Sequence, residues 1–256
     1  MSSRVSVKKR SRSSSRPREL ARVADRRASV RAAAQAFKAG RASVPLFRSN
    51  ELKGVDYGVV DGTNLTPDLT NNDGIYFMGP LYTGSGGFNR VGRKIRIKSV
   101  RVRGDIRSSY SSVGGVAPSC IVRMSIVHDA QPGGGAIPDW DDIFSSTAVN
   151  GAEFQEISSG VKLSATGRFR VLRDWTIPIF FTGGGVQDIE HRYHYDQYIE
   201  LKDFETTFRA DPSPPAPVQY SDVQSNALLF VVRCSTNANF STLQLFDTTM
   251  RMRYSD

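Results

Sequence analysis

From residue 44 to the C-terminus the helical period of apolar residues is absent, and this confines the body of the chain to an all-β fold. Short runs rich in Val, Ile, Phe, Tyr and Thr alternate with clusters of Gly, Pro, Asn, Asp and Ser. Residues 74–82 read as the first strand of the core, and 94–106 as a long strand. In 119–128 the alternation is clean, with Cys120, Val122, Met124 and Ile126 facing one way. Residues 169–181 form one or two strands with a break expected at Pro178. In 193–204, Ile199 and Leu201 oppose Glu200 and Lys202. Residues 227–234 are apolar on both faces, which predicts a central strand covered on two sides. The last run, 243–254, sets Phe246, Met250, Met252 and Tyr254 against Arg251 and Arg253. About eight strands with long connections at 129–155 and 209–226 suit a double-sheet jelly roll better than a meander or a small barrel. The stretch 211–218 holds four prolines and reads as a stiff surface loop.

The first 48 residues are a different object. Fourteen Lys/Arg against two acids give them +12, whereas twenty against twenty-three give the remaining 208 residues −3, for a total of +9. A slightly acidic body with a strongly basic arm divides into an arm over 1–43 and a shell domain over 44–256, the arm reading as a polyanion binder. Residues 1–18 are Ser/Arg/Lys low complexity and are expected to be disordered alone. Residues 19–39 are Ala- and Arg-rich without Pro or Gly and end at Gly40, which predicts a basic helix formed on binding. The arm has no apolar signal region, and the longest apolar run, 227–232, falls far short of the roughly 18 residues that span a bilayer, so no membrane partner is expected. Cys120 and Cys234 lie in apolar runs and read as small buried hydrophobes in a reducing compartment.

The most specific segment is 90–107, RVGRKIRIKSVRVRGDIR, with eight basic residues and one acid. Ile95 and Ile97 share one phase and Val100, Val102 and Ile106 the other, so the phase slips at Lys98–Ser99 and predicts a bulge. A strand with a cationic row on one face can cover a phosphate backbone while its other face packs in a core. It can equally be an edge strand guarded by charge. Enzyme readings find little: His191 and His194 fall on opposite faces of a strand, and Asp139, Asp141 and Asp142 read as a helix-capping turn rather than a cation site. The Gly-rich segments 133–135 and 183–185 lack a following phosphate-loop pattern. No nucleophile–base constellation is present, and no cofactor or metal is expected.

The segments GIYFMGPLYTGSGGFNRVGRKIRIKSVRVRGDI, IVRMSIVHDAQPGGGAIPDWDDIF, FRVLRDWTI, NALLFVVRC and FDTTMRMRYSD resemble, in this order, capsid proteins of small circular Rep-encoding single-stranded DNA viruses. The likeness is to geminivirus-like and satellite-virus-like coat proteins and spans about residues 75–255 plus the arm. The chain departs from the geminivirus pattern in lacking a zinc-finger-like Cys/His set near the arm. The resemblance implies an eight-stranded viral jelly roll that assembles into a T=1 icosahedral shell of about sixty copies. It also implies a virion protein that passes through the host nucleus during assembly. The arm would point inward onto the genome, and sixty arms bring on the order of 700 positive charges to it.

Within that reading Arg4, Lys8, Lys9, Arg10, Arg12, Arg16, Arg18, Arg22, Arg26, Arg27 and Arg31 contact phosphates of single-stranded DNA. Arg96, Lys98, Arg101 and Arg103 form a fixed basic wall beneath them, with Arg251 and Arg253 as weaker candidates. Lys8, Lys9, Arg10, Arg12, Arg16 and Arg18 also form a candidate nuclear-localisation signal, with a host import receptor as partner. Trp140 and Trp175 are candidates for interface anchors and equally for core positions. Two other classes stay open: a nucleic-acid-binding protein with a basic tail, of nuclear-shuttle or ribosomal type, and a β-sandwich recognition module with an incidental basic leader.

Overall fold

The structure, a computed structural model, describes residues 52–58, 62–66, 72–84, 89–110, 119–133, 135–145, 147–149, 152–154, 157–180, 189–209, 217–235 and 240–256. The expectations for the arm, for helix 19–39, for the glycines 183–185 and for most of the stretch 211–218 lie outside these residues.

Twelve strands occur among the described residues: β1 (Lys53–Gly58), β2 (Thr63–Asn64), β3 (Ile75–Phe77), β4 (Lys94–Tyr110), β5 (Ser119–Asp129), β6 (Thr147–Val149), β7 (Ala152–Phe154), β8 (Phe169–Phe180), β9 (Ile189–Phe208), β10 (Val223–Ser225), β11 (Ala227–Cys234) and β12 (Thr242–Ser255). The helix α1 (Trp140–Ile143) lies between β5 and β6. One sheet runs β1-β12-β4-β9-β10, with β2 also on β12, and a second runs β3-β11-β5-β8. All the pairings within them are antiparallel.

Taking β1, β3, β4, β5, β8, β9, β11 and β12 as one to eight, the sheets read 1-8-3-6 and 2-7-4-5. The first strand pairs with the last, the second with the seventh, the third with the sixth and the fourth with the fifth. That is one long antiparallel hairpin rolled on itself, the eight-stranded jelly roll.

The inner faces follow the alternation read from the sequence. Ile95, Ile97, Val100, Val102 and Ile106 of β4 are buried, as are Cys120, Val122, Met124 and Ile126 of β5. The expected slip is present: Ile97 lies opposite Tyr254 and Ser99 opposite Arg253, which leaves Lys98 as the extra residue of a bulge. Strand β11 is buried at all eight positions and lies between β3 and β5, as its two apolar faces required.

Several boundaries differ from expectation, each for a physical reason. Segment 74–82 contributes only the three-residue β3, and the first strand is β1, whose two glycines and short length hid it. Pro178 does not break β8. Among the described residues that strand pairs with β5 alone, so it is a sheet edge where a missing N–H costs no ladder bond. Phe246 does not share a face with Met250. Register slips between Phe246 and Thr249, with Asp247 at φ 47°, so Leu243 and Leu245 point inward before the slip and Met250 and Met252 after it.

The connection from β5 to β8 is folded over the outer face of the second sheet. Trp140 and Phe144 are buried there over Arg123 and Arg233, which are directly paired across β5 and β11. The Arg123 guanidinium lies 4.4 Å from the Phe144 ring centroid, and Arg233 lies 5.8 Å from that of Trp140. Arg123 also forks onto Asp174 at 3.0 and 2.8 Å and donates to the carbonyls of Ile157 and Ser159 at 2.8 and 2.6 Å. Trp140 is thus a packing residue of this cover. Trp175 is half-buried against Phe230 of the same sheet, ring centroids 6.2 Å apart. At the start of α1 the Asp139 N–H donates to Asp142 Oδ2 at 3.1 Å, the capping turn expected of this acidic run.

Candidate nucleic-acid interface

The first sheet presents its outer face as rows of charge. Because β4 buries alternate residues, Arg96, Arg101, Arg103 and Arg107 project from that face. Strands β9 and β12 flank β4 and add their own outward residues, Glu190, Arg192, His194, Asp196 and Glu200 on one side and Arg251 and Arg253 on the other. Edge strand β1 adds Asp56.

Cations and carboxylates on this face are interlocked. Arg101 forks onto Asp196, its Nε at 2.7 Å from Oδ1. Arg251 forks onto Asp56 with both contacts at 2.6 Å. Arg107 donates to Glu190 at 2.8 Å and Arg192 to the same carboxylate at 3.2 Å. Both guanidiniums also lie over the Phe246 ring, at 5.6 and 4.9 Å. Lys94 pairs with Glu205 at 2.8 Å, with Arg96 3.9 Å from the other oxygen, and His194 Nδ1 is 2.9 Å from Asp105. Hydrogen bonds from their arginine partners hold Asp56, Asp196 and Glu190 below the ordinary carboxylate range, and Lys94 does the same for Glu205. Asp196 in turn raises Arg101, and Asp56 raises Arg251.

The face therefore differs from a bare cationic wall. Arg96, Lys98, Arg101 and Arg103 are all carried by β4, but Lys98 sits half-buried in the bulge, and Arg101 already has a carboxylate. Among the described residues Arg103 and Arg253 have no carboxylate within 4.0 Å, and Arg103 Nε donates only to Thr249 Oγ1, at 3.2 Å. The partners Asp56, Glu190, Asp196 and Glu205 were not picked out from the sequence. The alternating acids of the run EHRYHYDQYIE, opposed to the alternating bases of β4, are the signal that points to Glu190 and Asp196. Exposed pairs of this kind are weak and screened by salt, so they can exchange a carboxylate for a phosphate at little cost.

His191 and His194 fall on different sides of β9, His194 outward and His191 half-buried. Cys120 and Cys234 are buried and free, and desolvation pushes their thiols up to about 11 and about 12. Among the described residues no helix is long and apolar enough to cross a membrane.

Among known proteins, the family described as geminivirus coat protein/nuclear export factor BR1 matches residues 6–256. No curated protein matches the sequence significantly. Among solved structures, the VP1 pentamer of human polyomavirus 6 is similar to 83% of this chain and 96% of its own, at 10% identity and a TM-score of 0.25.

Proposed function

The chain belongs to the geminivirus coat protein/nuclear export factor BR1 family, and on that premise we propose that it is the capsid subunit of a small single-stranded DNA virus. About sixty copies close into a T=1 icosahedral shell. The basic arm then lies inside, where its cations replace the counterions of the packaged strand. One observation carries the reading: a +12 arm is joined to a −3 body. The near-neutral body can crowd against copies of itself without strong repulsion, while the arm neutralises the cargo. Exposed Ile121, Leu163 and Phe180 on the body are available for contacts between copies. The residues Lys8, Lys9, Arg10, Arg12, Arg16 and Arg18 serve as an import signal, which places the protein in the host nucleus during assembly and in the virion afterwards.

Negative-stain electron microscopy of the purified protein, with its absorbance ratio at 260 and 280 nm, tests this directly. Uniform closed particles that carry nucleic acid are expected. Deleting residues 2–31 should leave the body folded and flatten the salt dependence of DNA binding. An unchanged slope would refute the role of the arm.

The family description itself names a nuclear export factor, which favours a second reading, a shuttle protein that binds nucleic acid without forming shells. A monomer or dimer at every salt concentration and pH would put that reading first.

A further inference from the structure

On the outer face of the first sheet a recess is lined by Asp56, Arg101, Arg103, Thr249 and Arg251. Two of its three guanidiniums are engaged, Arg251 with Asp56 and Arg101 with Asp196. Arg103 stands between these pairs and strengthens the ionised form of both carboxylates from a distance. Among the described residues neither Asp56 nor Asp196 is within ion-pair distance of it. Three cations thus meet two anions, and one positive charge is left over. Every lining residue sits on a strand, so the recess is held by ladder hydrogen bonds rather than by a loop. Thr249 Oγ1 accepts from Arg103 and keeps its own proton to donate. A guanidinium with unused donors beside a hydroxyl matches a tetrahedral oxyanion.

We propose that this recess seats one backbone phosphate of a single strand of nucleic acid. Arg103 is the ligand, and Arg101 and Arg251, forked onto Asp196 and Asp56, are the walls. The proposal rests on the nucleic-acid reading above and adds to it a fixed contact on the folded body. Nucleic acid suits the site better than a protein carboxylate, because Arg253 on the neighbouring strand and Arg96 further along β4 extend the cationic row past the recess. A strand of phosphates uses such a row, whereas one carboxylate does not.

The experiment measures binding of the full-length protein to a fluorescent thymidine oligonucleotide across a salt series. The variants are Arg103→Gln, Arg103→Lys and, as a control for charge loss elsewhere, Lys162→Gln, each checked by its melting temperature. Arg103→Gln should lower the slope of log K against log salt by about 0.7, one phosphate contact to a single strand. Arg103→Lys should restore the slope at weaker affinity, and Lys162→Gln should leave both unchanged. A wild-type slope in folded Arg103→Gln would overturn the seat and leave the arm untouched. Wild-type protein that shows no salt-dependent binding would overturn the nucleic-acid reading itself. If Arg103→Gln kept the slope but lost self-association in sedimentation, the recess would belong to a carboxylate of a second copy, and the proposal would fall.

Discussion

Arg123 shows how one side chain can fasten a long connection. Its guanidinium is buried, forked onto Asp174, stacked on Phe144 and bonded to the carbonyls of Ile157 and Ser159. Removing one partner of such a pair leaves charge and carbonyls without their donors. Arg123→Ala is expected to cost about 3 kcal/mol in urea unfolding and to open the segment around residues 157–160 to protease. A loss below about 1 kcal/mol would show that the cover is held elsewhere. The two cysteines make a second prediction. Burial keeps their thiols neutral to about 11 and about 12, so a thiol reagent at pH 8 should label neither in the folded protein and both in denaturant. The folded protein holds those protons above the ordinary thiol value of 9.0. Their contribution is therefore complete below pH 9 and is lost as pH rises through 11 to 12, and unfolding midpoints should fall across that window.

Among the elements, the meeting of β4 and β12 depends on a glycine. At the slip in β12, Thr248 is pressed against Gly104, where an added Cβ would stand 2.6 Å from Thr248 Oγ1 and 2.7 Å from its Cα. Tyr195 closes the same spot with a 2.6 Å hydrogen bond to Thr248 Oγ1. Gly104→Ala should therefore cost about 1–3 kcal/mol of stability, measured by thermal melting. Adding Thr248→Ala should not rescue it, since the backbone itself is in the way. The sequence made the strands legible where alternation was strict and long, as in β4, β5 and β11. It concealed what depends on pairing. The slip near Asp247 is a property of two strands, so alternation along one strand puts Phe246 in the wrong phase. Pro178 suggested a break because edge and centre are indistinguishable along one strand. The cationic row of β4 was readable, but its neutralising partners lay on β9, 95 residues away for Arg101 and Asp196, and the partner of Arg251 on β12 lay on β1, 195 residues away at Asp56.

At the scale of the molecule, alternation and loop length together selected the jelly roll, and the pairing of first strand with last completes it. The same closure ties the entry of β1 to the final residue, with Lys53 2.9 Å from Asp256 and also donating to the carbonyl of Asn89 at 2.9 Å. Lys53→Met should loosen this corner and speed amide exchange in β1 ahead of the core strands, a difference hydrogen-exchange mass spectrometry resolves. The division of charge belongs to this scale too: residues 1–48 carry +12 and the remaining 208 carry −3.

The pairing scheme also dictates a timetable. Among the described residues strand β1 bonds only to β12, and β3 only to β11. On a ribosome that adds roughly 5–20 residues per second, the early strands therefore wait many seconds for partners that have not been made. The edges of both sheets can therefore close only after β11 and β12 have been made, late in the synthesis of the domain.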